Sequence, residues 1–222
     1  MRRTNTSIAA LLTCLLSAAG LAAVVLDQSP TAAQPRAAQS GPRALMRARY
    51  AQLSKALNGA PADAGAAVPE PQRRQVRRIL SSLIDYDEIA RRSLATHWEQ
   101  RTPAERTEFT QLLRALVEQA YERNLRTTMR WEVQWAEESV QGDATIVGSV
   151  ARSREERRRP PIRIDYHFHR IGTSWKVFDI VTDQVSLVDN YRGQFGRIIT
   201  RNGYADLIRR MRARQADPES PL

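Results

Sequence analysis

His167 and His169 stand two residues apart, a spacing that puts both imidazoles on one side of a strand, and they come nearest to a metal-ligand pair in this sequence. A third ligand at a telling spacing is missing, and the polar alternation of a half-buried strand explains the pair without a metal. General acid or base chemistry would fall to Asp165 or Asp179, as a carboxylate raised in pKa within the apolar pocket of a cone-shaped α+β enzyme. Asp165, however, falls on the polar side of its strand, and Asp179 stands where a sheet end needs an acceptor for backbone N–H groups. His97, beside Trp98, reads as a helix-face residue rather than a base. The single cysteine, Cys14, lies in an apolar segment near the start, which excludes an internal disulfide and a cysteine-ligated metal. We therefore expect no enzyme, no metal and no resident cofactor.

Arginine is the other chemically active residue type in quantity. Lys+Arg number 34 against 24 Asp+Glu, a formal charge of +10, and Lys55 and Lys176 are the only lysines. Guanidinium groups bind phosphate and carboxylate in a bidentate fork, but these arginines are spread over every segment, as a GC-rich genome would also produce. Arg73-Arg74 and Arg77-Arg78 invite a nucleic-acid reading. The apolar leader and the core spacing of the aromatics argue against it, and no nucleic-acid partner is expected.

The elements that must position these residues begin after a leader. Met1-Arg2-Arg3 followed by the uncharged run Ile8 to Leu26 and small residues at Thr31-Ala32-Ala33 reads as an export signal, with cleavage after residue 33 favoured over retention as an anchor, and a periplasmic chain is expected. Leu11-Leu12-Thr13-Cys14 fits a lipoprotein box poorly, because Thr stands where a smaller residue is wanted. Residues 34–41 follow as a flexible segment. Gly41-Pro42 opens a helix that Asn58-Gly59 closes, and Ala60 to Pro71 is a Pro/Ala/Gly-rich link. Val76, Ile79, Leu80 and Leu83 keep helical spacing, and a short helix follows Asp85-Tyr86. Thr102-Pro103-Ala104-Glu105 combines a capping box with Pro at the first helical position, and Phe109 to Leu125 then forms a wide apolar stripe.

From Trp131 the hydrophobic period changes to two. Trp131 to Trp135, Ala144 to Ala151, Ile162 to Phe168 and Trp175 to Thr182 predict four antiparallel strands, with Arg152 to Arg159 as a charged hairpin tip. Leu187 to Thr200 and Tyr204 to Arg214 return to helical spacing around Asn202-Gly203, and residues 215–222 read as a disordered tail. Helices, a meander and more helices make an α+β fold with a curved antiparallel sheet of four or more strands. Such a sheet can hold its helices off its centre and leave an apolar pocket. Its lining would be Val133, Trp135, Ile146, Ile162, Ile164, Tyr166 and Phe168 from the sheet, with Phe109, Leu113, Leu116, Val117 and Tyr121 facing them and Val185 at the end of the last strand. Arg159 and Arg163 are the arginines placed to meet an anionic group at the mouth.

Several stretches together resemble MlaC-type periplasmic phospholipid-binding proteins, also called toluene-tolerance auxiliary proteins. They are Ile84-Asp85-Tyr86 through Leu94, Thr102 through Tyr121, Arg159-Pro160-Pro161-Ile162-Arg163-Ile164-Asp165-Tyr166, Trp175 through Val181 and Val185 through Arg192. The resemblance covers about residues 42–214, taken as the lipid-binding domain. It implies a carrier without catalysis that moves phospholipid as cargo between an outer-membrane lipoprotein-porin complex and an inner-membrane ABC transporter, maintaining outer-membrane lipid asymmetry. A related branch serves hopanoids, so another membrane lipid is the alternative cargo. The chain departs from the family pattern at Asp183-Gln184, where an acidic residue and Gly are usual, and in the Ala60 to Pro71 link. A monomer is expected.

Overall fold

The computed structural model describes residues 41–57, 68–128, 130–156 and 158–222. The expected leader at 1–33, residues 34–40 of the flexible segment and the link as far as residue 67 lie outside the described residues. The elements are α1 (Pro42–Leu57), α2 (Glu70–Leu83), α3 (Tyr86–Leu94), a 3-10 turn at Ala95–His97, α4 (Pro103–Thr128), β1 (Trp131–Gln141), β2 (Ala144–Ser153), β3 (Ile162–Ile171), β4 (Ser174–Thr182), β5 (Val185–Ser186), α5 (Leu187–Asn202) and α6 (Tyr204–Ala216). The class is α+β, and the strands form one antiparallel meander in the order β1-β2-β3-β4-β5.

Local chemistry explains most boundaries. Glu105 N–H donates to Thr102 Oγ1 at 3.2 Å and Thr102 N–H donates to Glu105 Oε2 at 2.8 Å, the reciprocal capping box expected at the start of α4. Asp85 caps α3 by accepting from Glu88 N–H at 3.0 Å, while its own N–H donates to the Val177 carbonyl and so ties the α2–α3 junction to β4. Ser186 caps α5 through Asp189 N–H. Gly172 turns β3 into β4 with φ of 58°, a left-handed conformation that costs glycine little.

The link differs from its expected form at its end, because Glu70 and Pro71 already belong to the first turn of α2, where Pro is tolerated. The tail differs as well. Helix α6 runs to Ala216, Asp217 then organises a turn with Glu219 and Ser220, and Leu222 packs against the core.

Register decides what faces the helices. Ile162, Ile164, Tyr166 and Phe168 pair with Ala151, Ser149, Val147 and Thr145, so those residues share the inner face. Val133 and Trp135 join them from β1, opposite Ala151 and Ser149. A bulge in β4 between the partners of His167 and Phe168 lets Phe178 lie with the two histidines on the reverse side, its ring 6.1 Å from His167 and 5.2 Å from His169. Helix α1 is set over the inner face at its start, where Arg43 N–H donates to Glu138 Oε1 at 2.7 Å and the Arg43 guanidinium pairs with Glu137 at 2.8 Å.

Candidate functional site

The layer between the inner sheet face and helices α1 and α4 is aromatic at its centre. Tyr50 of α1 meets Trp135 of β1 edge-on with ring centroids 5.6 Å apart, and Trp135 in turn lies 6.0 Å from Tyr166 of β3. Tyr121 of α4 completes the group. It is fully buried, and burial first, then the neighbouring Tyr166 and Tyr50 hydroxyls, push its phenol above its ordinary pKa, so it is neutral and available as a donor. Its hydroxyl is bonded to no group among the described residues. Thr182, across from Ile164 on the same face, also has a buried hydroxyl without such a partner. A buried polar atom left unpaired costs about 1–3 kcal/mol, so the two hydroxyls are candidates for pairing with a bound molecule.

The structure brings together most of the residues proposed from sequence. Phe109, Leu113, Leu116, Val117 and Tyr121 are buried on one side of α4, and Val133, Ile164, Tyr166 and Phe168 are buried on the inner sheet face, with Trp135 and Ile162 half-buried beside them. Phe109 reaches past this layer to pack edge-on against Phe195 of α5 at 5.5 Å.

Three of the proposed residues lie elsewhere. Ile146 pairs with His167 on the reverse face, and Val147, 0% exposed, holds the inner position. Strand alternation is strict, so a one-residue difference in register exchanges the two faces. Val185 is 48% exposed in the two-residue edge strand β5, because the turn at Asp183 and Gln184 carries it to the sheet border. Arg163 also projects from the reverse face, its guanidinium bonded to Asp165 at 3.2 Å. Arg159, by contrast, stacks over Trp131 with its guanidinium carbon 5.0 Å from the ring, at the end of the inner layer.

Two of the residues weighed for chemistry, Asp179 and His169, bond to structural partners. Asp179 Oδ1 accepts from the N–H groups of Ile180 at 2.8 Å and Val188 at 3.1 Å, and its Oδ2 accepts from the Ser186 hydroxyl at 2.6 Å, so the carboxylate joins β4 to the start of α5. His169 Nε2 lies 2.8 Å from Asp85 Oδ2, bracing β3 against α3. Among the described residues no group of three or more His, Cys, Asp or Glu side chains is arranged to hold a metal. No helix among them is long and apolar enough to cross a membrane.

Sequence reasoning overlooked α1 as part of the site. Met46, Tyr50, Leu53 and Leu57 are buried from that helix, and their spacing of four, three and four residues is an apolar stripe that could have found them.

Residues 50–213 match the family model described as MlaC protein. The chain belongs to the MlaC family. All four aromatic residues of the layer, Tyr50, Tyr121, Trp135 and Tyr166, fall inside the matched span. Among solved structures, the chain is similar to a phospholipid-binding protein from Ralstonia solanacearum in complex with a phospholipid. The two are 19% identical, the likeness covers 78% of this chain and 96% of that one, and the TM-score is 0.63. At that identity the likeness establishes a shared fold.

Proposed function

We propose that this MlaC-family chain is an exported, periplasmic lipid carrier rather than an enzyme. It holds a phospholipid between helices α1 and α4 and the inner sheet face, and passes it between an outer-membrane lipoprotein-porin complex and an inner-membrane ABC transporter, so sustaining outer-membrane lipid asymmetry. The observation that carries this reading is the buried Tyr121 hydroxyl, bonded to no described group, in the middle of the aromatic layer. A polar headgroup linkage or ester oxygen brought in with a lipid would accept from it. The Ralstonia relative in complex with a phospholipid supports the same cargo.

Energetics set the requirement. Each methylene withdrawn from a bilayer forfeits about 0.8 kcal/mol, so a lipid with roughly thirty of them needs on the order of 24 kcal/mol of replacement burial. Only a large, dry, apolar surface supplies that, and the facing side chains of α4 and the sheet are of that kind. Acyl chains lie along Leu113, Val117, Ile164 and Phe168, and Arg159 beside Trp131 is positioned toward an anionic headgroup.

Lipid extraction and mass spectrometry of the chain, purified from an exporting host without added lipid, test the proposal. Diacyl lipid at near-stoichiometric amount is expected, with a mature N-terminus at or near Gln34. A chain that is always empty and turns over a soluble substrate would overturn it. A hopanoid in place of a diacyl lipid would change the cargo and leave the carrier reading standing.

A further inference from the structure

Away from the aromatic layer, on the outer side of α2 and α4, a recess of about 580 Å³ is lined by Arg74, Arg77, Arg78, Ser81, Arg114 and Glu118. Its floor is built. Glu118 is 8% exposed, and its Oε1 accepts from Arg114 Nε at 2.9 Å and from the Ser81 hydroxyl at 3.0 Å, while Arg114 also donates to Ser81 Oγ at 2.6 Å. One wall is Arg77, pinned between Glu70 at 2.5 Å and Glu122. Arg73 pairs with Glu70 from the flank at 2.7 Å. Arg74 and Arg78 are exposed and hold no ion pair with a carboxylate among the described residues. Glu70, Glu118 and Glu122 thus face Arg73, Arg77 and Arg114, Arg74 also lies within the field of Glu70, and five arginines against three carboxylates leave an excess of two positive charges toward the opening, where Arg74 and Arg78 stand exposed.

We propose that this recess is a docking site for an acidic segment of a partner protein, one that presents two carboxylates to Arg74 and Arg78. The two arginines are four residues apart on one helix, so their Cβ atoms lie about 6 Å from each other, the separation at which Asp or Glu at i and i+4 of a second helix would meet them. Guanidinium forks engage carboxylates in parallel pairs, and a fixed floor leaves the opening arginines as the adjustable members. A membrane surface fits the recess less well. Surfaces that enter lipid headgroups combine basic residues with apolar ones, and the exposed large hydrophobics among the described residues, Val140, Ile171 and Val185, all belong to the sheet. The lining of the recess shares no residue with the apolar layer.

Fluorescence anisotropy of a labelled helical peptide with Glu at i, i+4 spacing, titrated with the full chain, tests this, with the Glu-to-Gln version of the peptide as comparison. The acidic peptide should bind in a salt-sensitive manner, and Arg74→Gln with Arg78→Gln should weaken it roughly tenfold, as expected for two exposed charge pairs, while co-purified lipid is unchanged. Charge reversal, Arg74→Glu with Arg78→Glu, should exchange the preference for a Lys-bearing peptide. An equal loss from Arg154→Gln with Arg158→Gln, in the basic hairpin tip, would reduce the effect to net charge and overturn the proposal. So would binding of anionic vesicles that depends more strongly on Arg74 and Arg78 than peptide binding does, or release of the peptide by inorganic phosphate but not by glutamate at equal ionic strength.

Discussion

Replacing Tyr121 with Phe removes one oxygen from the centre of the aromatic layer and nothing else. In the wild-type fold that oxygen is buried and bonded to no described group, at a cost of about 1–3 kcal/mol. Without lipid, Tyr121→Phe should therefore be more stable than wild type by about 1 kcal/mol, which raises the melting temperature by about 2–4 °C for a chain of this size. With lipid bound, the hydroxyl has an acceptor, and its removal forfeits a hydrogen bond worth about 1 kcal/mol; added to the gain of about 1 kcal/mol in the empty form, this loosens lipid by about 2 kcal/mol, roughly thirtyfold. The same substitution thus raises the melting point of the empty protein and narrows the gap between empty and loaded forms. Calorimetry of delipidated and loaded proteins, paired with transfer of labelled lipid to acceptor vesicles, reads both quantities. A drop of several degrees in the delipidated Tyr121→Phe protein would mean that the hydroxyl is paired inside the fold. Equal shifts in the empty and loaded forms would mean that it never meets the cargo.

Glu placed at Val117 or Ile164, each 1% exposed on facing surfaces, should give a chain that melts cooperatively and carries no lipid; one that cannot be recovered folded would point to a filled core. Asp179→Ala should cost about 2–4 kcal/mol in urea unfolding, because two N–H donors and the Ser186 hydroxyl lose their acceptor at once. Hydrogen bonding from Arg91, joined by Arg92 and opposed by burial, holds Glu88 at about 2 against an ordinary 4.5. Its contribution to stability is thus complete above about pH 4.5 and lost as the pH falls toward 2, so Glu88→Gln should flatten the acid limb of the stability curve in that window. Gln184 sits at φ of 70°, and Gln184→Gly should raise stability by up to about 1 kcal/mol in a thermal melt.

Much of the framework was legible because its signals are local. The capping box at Thr102, the apolar stripe of α4 and the alternation of β3 each follow from the order of neighbouring residues, and each appears in the structure with the bonds or burial expected of it. The α+β class follows from the order of those elements along the chain. The basic pairs Arg73-Arg74 and Arg77-Arg78 were visible too, but the sequence suggested for them only a nucleic-acid reading, and the recess they border is a product of packing between α2 and α4.

Tertiary structure decided what no local pattern contains. Ile146 and Val147 are both apolar, and only the pairing of Val147 with Tyr166 shows which one turns inward. Val185 looks like a core residue by type, yet the Asp183–Gln184 turn places it on an edge. Arg163 and Asp179 both had functional readings open to them until their partners, Asp165 and the start of α5, came within bonding distance. The meeting of Tyr50, Tyr121, Trp135 and Tyr166 joins α1, α4, β1 and β3, residues spread over more than half of the chain. Side-chain contact depends on packing in three dimensions, whereas periodicity reports only which side of its own element a residue occupies.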